Sequence, residues 1–346
     1  MKILIIKPSA LGDVATALPV LSSLRAAFPD ARISWLVRKE FASLLEMAAG
    51  LDEIVIFDRK RLDKWWCDPV IFGELIHFTK SLHNVKYDLV IDLQGLFRTG
   101  FFSWVTGSSR RFGLKLAREL ASVFYTDKVR PSEDSCHVID QYLHVALMAG
   151  CQRIVSTIDL ESSPEAENKV SELLLCNNIS KDNYAVFVPT AAHFYKCWPI
   201  ERFAEVATRL AVEYSMDIVA TGTSGDREYI DKMIGCSNKV FNLAGQTNIQ
   251  ELVALIKGAK LVLSNDTGPG QIASVLRVPM VMIIGPTNPQ RIGPYGRLEY
   301  AAGIDIYNRR NTIENSKHVY AIENVAVDMV LEKVIRTLEN NSVIDG

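Results

Sequence analysis

Two junctions in the sequence combine residue types suited to group-transfer chemistry. In 261–273 (LVLSNDTGPGQIA) an apolar run, Leu261, Val262 and Leu263, stops at Ser264, Asn265, Asp266 and Thr267, and Gly268, Pro269 and Gly270 then open a helix over IASVL. Asp or Thr at an N-cap with proline in the first turn is a helix-start signature. Glycines there leave backbone N–H groups open to an anion, and the helix dipole adds a positive field, which suits a diphosphate. An ordinary capped strand–helix turn carries the same residue types. Near the amino terminus, the apolar run 3–6 leads into Lys7-Pro8-Ser9-Ala10-Leu11-Gly12-Asp13, with a glycine at the bend and a carboxylate at the helix start, the place of a plain N-cap.

Further polar clusters follow other short strands. The stretch 59–66 (RKRLDKWW) is basic and then aromatic. It reads as a solvated charged face, as a mobile loop gripping phosphates or carboxylates of an acceptor, or, through Trp65 and Trp66, as a segment resting on lipid headgroups. At 92–99 (DLQGLFRT) polar groups again follow a strand, and Arg110, Arg111, Lys115 and Arg118 add positive charge. His137 and Gln141, one helical turn apart, begin a helix to about residue 148, and with Asp13 they could line one cleft.

The elements that must position these residues alternate along the whole chain. Val14, Leu18, Leu21, Leu24 and Phe28 step by three and four, the stripe of a helix packed on a sheet, and Pro19 within it predicts a kink. Short buried strands are expected at 33–37, 53–57 and 89–91. After a weak stretch, Ser162, Ser163 and Pro164 mark a domain junction. The second series is a helix over 165–175, a strand at 184–188, a helix from Pro199 through 212, strands at 218–220 and 240–243, a helix to 256, the opening motif, a strand at 280–284 and a final helix over 322–338. Such alternation predicts α/β domains with parallel sheets covered on both faces, here 1–163 and 164–346. The last helix is a candidate to pack back on the first domain.

Composition narrows the function. With 38 basic and 40 acidic residues the chain is nearly neutral, so nothing points to nucleic acid. Cysteines 67, 136, 151, 176, 197 and 236 show no CxxC pair and no histidine at metal-ligand spacing, so no metal site and a reduced, cytoplasmic protein are expected. No run reaches the ~18 apolar residues that a bilayer span needs. Neither GxGxxG after the first strand nor GxxxxGK[ST] occurs, against a nicotinamide-binding domain and a P-loop kinase.

KPSALGDVATALPVL (7–21), DLQGLFRTG (92–100), YKCWP (195–199), NLAGQTNIQELVALI (242–256) and SNDTGPGQIASVLRVPMVMIIGPTNP (264–289) together resemble glycosyltransferase family 9, the lipopolysaccharide heptosyltransferases. The SALGDV start, DLQGL and ARELASVFY (117–125) resemble heptosyltransferase I more than II. The resemblance implies a GT-B fold of two Rossmann-like domains facing across a cleft, the first for the acceptor and the second for the nucleotide sugar. It implies an inverting, metal-independent transferase moving heptose from ADP-heptose to the Kdo region of a lipid A precursor, with no cofactor. The protein would be a monomer, peripheral to the cytoplasmic face of the inner membrane.

Residue by residue, the resemblance makes Asp13 the general base and gives the departing diphosphate to Lys196 and the N–H groups of 267–271. Asp266 would hold sugar hydroxyls, Asp226 the ribose, and Thr247 the base pocket. Thr190, Thr267, Gly268, Pro269, Gly270 and Gln271 complete the donor set, while Ser9, Arg61, Lys64, Gln94, Arg118 and His137 would meet the anionic, lipid-linked acceptor. Four positions depart from the family pattern. Gln271 stands where many members have histidine, Ala191 and Ala192 stand where hydroxyl residues are common, and Gln141 replaces a basic residue of some heptosyltransferase I proteins. The alternatives are a GT-B nucleotide-sugar epimerase, a family-9 transferase with another donor or acceptor, and a catalytically idle sugar-nucleotide or lipid binder.

Overall fold

The computed structural model describes residues 1–342 except 157, 236, 311 and 314–316, so Cys236 lies outside the described residues. The chain divides into two compact units, Met1–Glu161 and Ser162–Gly346.

The first unit is built on β1 (Lys2–Ile6), β2 (Arg32–Arg38), β3 (Glu53–Phe57), β4 (Leu89–Asp92), β5 (Arg111–Leu114) and β6 (Asp127–Val129). All pair in parallel, in the order β3-β2-β1-β4-β5-β6. Central strands read as unbroken apolar runs because helices cover both faces, and Ile3, Leu4, Ile5 and Ile6 are fully buried. Edge strand β3 differs from expectation. It is only partly covered, and Ile56 is exposed. Strands β5 and β6 were not expected, since RFGL and DKV carry little apolar periodicity. The helix Leu11–Ala27 runs unbroken through Pro19, whose carbonyl accepts from Ser23 Oγ at 2.9 Å. Also unexpected is the helix Pro69–Asn84, capped by the Asp68 carboxylate on the N–H groups of Val70 and Ile71.

The second unit repeats the plan with β7 (Tyr184–Val188), β8 (Asp217–Ala220), β9 (Val240–Asn242), β10 (Leu261–Asn265), β11 (Met280–Ile283) and the two-residue β12 (Ala301–Ala302). Their order is β12-β11-β10-β7-β8-β9, again all parallel. Phe203, on the helix Ile200–Glu213, packs edge-on against Trp198 at 5.2 Å and Phe187 at 6.0 Å. Each such ring buried contributes about 1.5–3 kcal/mol by transfer from water. The final helix begins at Val327, not at residue 322. Residues Ile322–Asn324 form a separate 3-10 turn in which Ile322 abuts Gly285, where a Cβ would lie 2.7 Å from the Ile322 Cβ. The final helix packs on β10, β11 and the helix Ile200–Glu213 of its own unit.

At the motif, β10 runs two residues further than the apolar run suggests, and the helix Gly268–Val275 starts directly above its end. A Cβ on Gly270 would stand 2.7 Å from Ser264 Oγ and 3.0 Å from the Asn265 carbonyl oxygen, so only glycine lets the helix begin this close to the strand. Gly270→Ala should therefore lower the free energy of unfolding by about 1–3 kcal/mol, measured by urea titration; unchanged stability would show that the turn can open without cost.

Candidate active site

In a parallel sheet the strand order reverses where consecutive crossovers go opposite ways, and the crevice outside the carboxyl ends of the strands there takes ligands. In the first unit that point lies between β1 and β4. Lys7 continues β1 and is buried, with Nζ 3.5 Å from Asp13 Oδ2, 3.4 Å from the Leu93 carbonyl oxygen and 5.1 Å from the centre of the Tyr142 ring. Burial opposes its charge, but the Tyr142 hydroxyl and the Asp13 carboxylate outweigh that and hold the ammonium above its usual range. Asp13 is not the N-cap. That position is Ala10, and the Asp13 carboxylate accepts from the Ala10 N–H at 3.4 Å while its side chain remains 53% exposed. A buried cation thus aims a solvent-open carboxylate. Beside it, the Ser9 N–H donates to Gln94 Oε1 at 3.4 Å, joining the ends of β1 and β4.

The β4 end is fixed from below by Asp92, whose Oδ1 accepts from the N–H groups of Gln94 at 2.9 Å and Gly95 at 3.2 Å, and whose Oδ2 accepts from the Tyr125 hydroxyl at 2.7 Å. Burial pushes the Asp92 carboxyl above its usual range, against hydrogen bonds that stabilise its charge.

The second unit has its reversal between β7 and β10. Buried Asn265 ties the two exits together, donating through Nδ2 to the Pro189 carbonyl at 2.8 Å and accepting on Oδ1 from the Trp198 N–H at 3.1 Å. The loop thus held carries Lys196, whose Nζ lies 2.9 Å from Asp266 Oδ2. The Ala191 N–H donates to Cys197 Sγ at 3.2 Å within the same loop. Thr267 caps the helix Gly268–Val275, and Ser264 Oγ meets Thr267 Oγ1 at 3.0 Å. Of the amides in 267–271, that of Gly270 faces Thr267 Oγ1, that of Gln271 bonds the Thr267 carbonyl, and Pro269 has none. The N–H groups of Thr267 and Gly268 therefore remain without a partner among the described residues.

Several predicted site residues share a rim. Thr190 follows β7, Asp226 lies in the exit of β8, Thr247 follows β9, and Asp266 and Thr267 follow β10. Gly245 N–H donates to the Gly222 carbonyl at 2.9 Å, holding the β8 and β9 exits together. Asp226 Oδ2 accepts from the Thr223 N–H and hydroxyl, closing its own turn. Gln271 donates to the Ile292 carbonyl at 2.7 Å and faces Asp266 Oδ1 at 3.4 Å, while its buried Oε1 has no partner among the described residues.

On the first unit's rim the acceptor-side residues are more dispersed. The stretch 59–66 is not an unanchored loop. It opens with the helical turn Arg59–Leu62, and Arg61 forms a two-pronged bond with Glu74 on the next helix, which holds that carboxyl below its usual range. Arg59 and Arg98 both pair with Asp63. Lys64 and Arg118 are exposed. His137 caps the helix Val138–Met148 through Nδ1, and Gln141 fastens the preceding loop at Ser132 and Ser135. Lys7, Asp92 and Asn265 lie in stretches that the sequence marks but carry no predicted role there, and Tyr142 is not marked at all. A lysine directly ending an apolar strand six residues before Asp13 was the available signal for the first.

Two units, each a parallel six-stranded sheet with helices and a polar rim, give the α/β architecture of the GT-B fold. The same fold is seen in a family 9 glycosyl transferase from Veillonella parvula, with TM-score 0.81 at 22% identity over 98% of this chain and 97% of that one. Escherichia coli heptosyltransferase WaaC with ADP is similar too, with TM-score 0.75 at 25% identity over 97% of this chain and all of the other. The chain belongs to glycosyltransferase family 9 (heptosyltransferase), whose family model matches residues 75–320. Lipopolysaccharide heptosyltransferase 1 of Salmonella typhimurium is 27% identical over 305 residues, spanning 87% of this chain and 93% of the relative.

The buried Asp92 network gives a pH-dependent expectation. Asp92→Ala leaves two N–H groups and a hydroxyl without their acceptor, costing roughly 2–4 kcal/mol in urea unfolding, whereas Asp92→Asn keeps an oxygen for the amides and costs less. Because the folded-state pKa is raised, the wild type loses stability as pH climbs from the ordinary carboxylate range through that folded value. The Asn variant lacks this loss, so its stability relative to wild type should rise across that window; a flat difference would mean that Asp92 ionises as freely folded as unfolded.

Proposed function

We propose that this transferase moves heptose from ADP-heptose to the Kdo region of a lipid A precursor in lipopolysaccharide inner-core synthesis, with inversion and without a metal. The exposed Asp13 carboxylate held by buried Lys7 carries the reading. A sugar hydroxyl is too weak an acid to ionise beforehand, so a carboxylate within hydrogen-bond reach must take its proton as the oxygen attacks the anomeric carbon. The bond to the diphosphate breaks in the same displacement, on the opposite face, and the configuration inverts. Charge then grows on the leaving phosphate oxygens, where Lys196 and the Thr267 and Gly268 amides serve as fixed donors in place of a metal. Asp266 is left to orient Lys196 and to accept from sugar hydroxyls. Asp226, Thr190 and Thr247, on the same rim, face the nucleoside side of the donor. Ser9, Gln94, Arg61, Lys64, Arg118 and His137 are assigned to the anionic acceptor. An ADP-sugar donor is supported by the Escherichia coli heptosyltransferase solved with ADP, and heptose transfer onto lipopolysaccharide by the relatives named lipopolysaccharide heptosyltransferase 1. No helix among the described residues is long and apolar enough to cross a membrane; the enzyme works as a monomer at the cytoplasmic face of the inner membrane.

Asp13→Ala should lower transfer by about 10²–10⁴-fold while ADP-heptose still raises the melting temperature as in wild type; near-normal turnover would remove Asp13 as the base. Lys196→Ala should slow transfer and weaken ADP binding by about ten- to a hundredfold, the effect of losing one charged hydrogen bond. Calorimetry showing unchanged ADP affinity would take Lys196 away from the diphosphate.

A further inference from the structure

The rim that carries Asp13 also carries an apolar surface with no part in the transfer chemistry above. One portion follows β3, where Trp65 is 47% and Trp66 76% exposed. Another lies between β5 and β6, where Leu116 is 75%, Leu120 73% and Val123 61% exposed. They belong to one surface. Arg98 Nη2 bonds Asp63 Oδ1 at 2.8 Å beside the tryptophans, and the adjacent Phe97 N–H donates to Glu119 Oε2 at 3.2 Å beside Leu120. The Phe97 ring, itself half exposed, packs edge-on against Phe124 at 5.2 Å. Large apolar side chains gathered this way on a soluble surface mark an interaction site.

Charge indicates the partner. Between residues 95 and 130 there are seven Lys and Arg against two Asp and Glu, in a chain whose net charge is −2. Lys115, Arg118, Lys128 and Arg130 pair with no carboxylate among the described residues, and the Lys115 N–H to Val129 carbonyl bond sets Lys115 near Arg130. A second copy docking isologously would press these like charges together, which is repulsive. Aromatic and aliphatic side chains flanked by cations instead match the boundary between acyl chains and anionic headgroups.

We propose that Trp65, Trp66, Phe97, Leu116, Leu120 and Val123 form the face by which the enzyme docks on an anionic phospholipid bilayer, bringing the Asp13 rim to the lipid surface. This deepens, and rests on, the peripheral location proposed above. The test is co-sedimentation of the full chain with vesicles of phosphatidylcholine and phosphatidylglycerol, and with phosphatidylcholine alone. Wild type should bind the anionic vesicles, release as salt rises, and bind the neutral ones poorly. The triple variant Leu116→Ser/Leu120→Ser/Val123→Ser and the double variant Lys128→Glu/Arg130→Glu should each bind at least about tenfold more weakly. Both should keep the wild-type melting temperature and turnover on a water-soluble acceptor lacking acyl chains. Wild type that ignores anionic vesicles, variants that bind as tightly, or variants that lose self-association in sedimentation velocity instead would each overturn the docking face. Vesicle binding lost in both variants, with no transfer to any acceptor by wild type, would leave the face standing and remove the transferase reading.

Discussion

Everything in this molecule depends on one constraint of parallel sheets: all strands of a sheet exit at the same rim. The polar loops therefore crowd one edge, where the backbone groups that leave the ladder must find partners. Each unit meets the demand with a lysine beside a carboxylate at the point where strand order reverses. In the first, Lys7 bonds the Leu93 carbonyl and faces Asp13. In the second, Lys196 faces Asp266 on a loop that Asn265 holds against β10. The two pairs differ in exposure. Lys7 is buried and its carboxylate open, whereas both members of the second pair are partly covered. That difference suits a proton acceptor on one rim and an anion clamp on the other.

Much of the architecture was legible because alternating apolar strands and helices leave a periodic trace, and β3 and β7 have the expected limits. Failures came where periodicity is absent or misleading. DKV in β6 has a single apolar residue and depends on pairing with β5. The helix Pro69–Asn84 has few buried positions, so its stripe is faint. Residues 322–326 continue the apolar pattern of the last helix but are held in a turn against Gly285.

The site was legible in its local motifs and not in its long-range bonds. The Thr267 cap and the glycine-rich helix start follow from neighbouring residues. Which amides stay open does not, because that depends on how the helix closes over Thr267. Arg61 reads in sequence as part of a solvated face or a loop gripping the acceptor, yet its partner Glu74 lies on a helix that the sequence did not reveal. Nor could spacing show that Asn265 reaches Pro189 or that Asp92 reaches Tyr125, since those contacts cross 76 and 33 residues.

The indole N–H of Trp198 donates to the Val325 carbonyl, 127 residues downstream, at 2.9 Å. The clamp on the Lys196 loop is thus closed by a segment that leaves the ribosome long after the loop itself. During synthesis the second rim must wait, with its tryptophan unsheltered, while the earlier unit already has every strand it needs to fold. The order of translation therefore separates the completion of the Asp13 rim from that of the Lys196 rim.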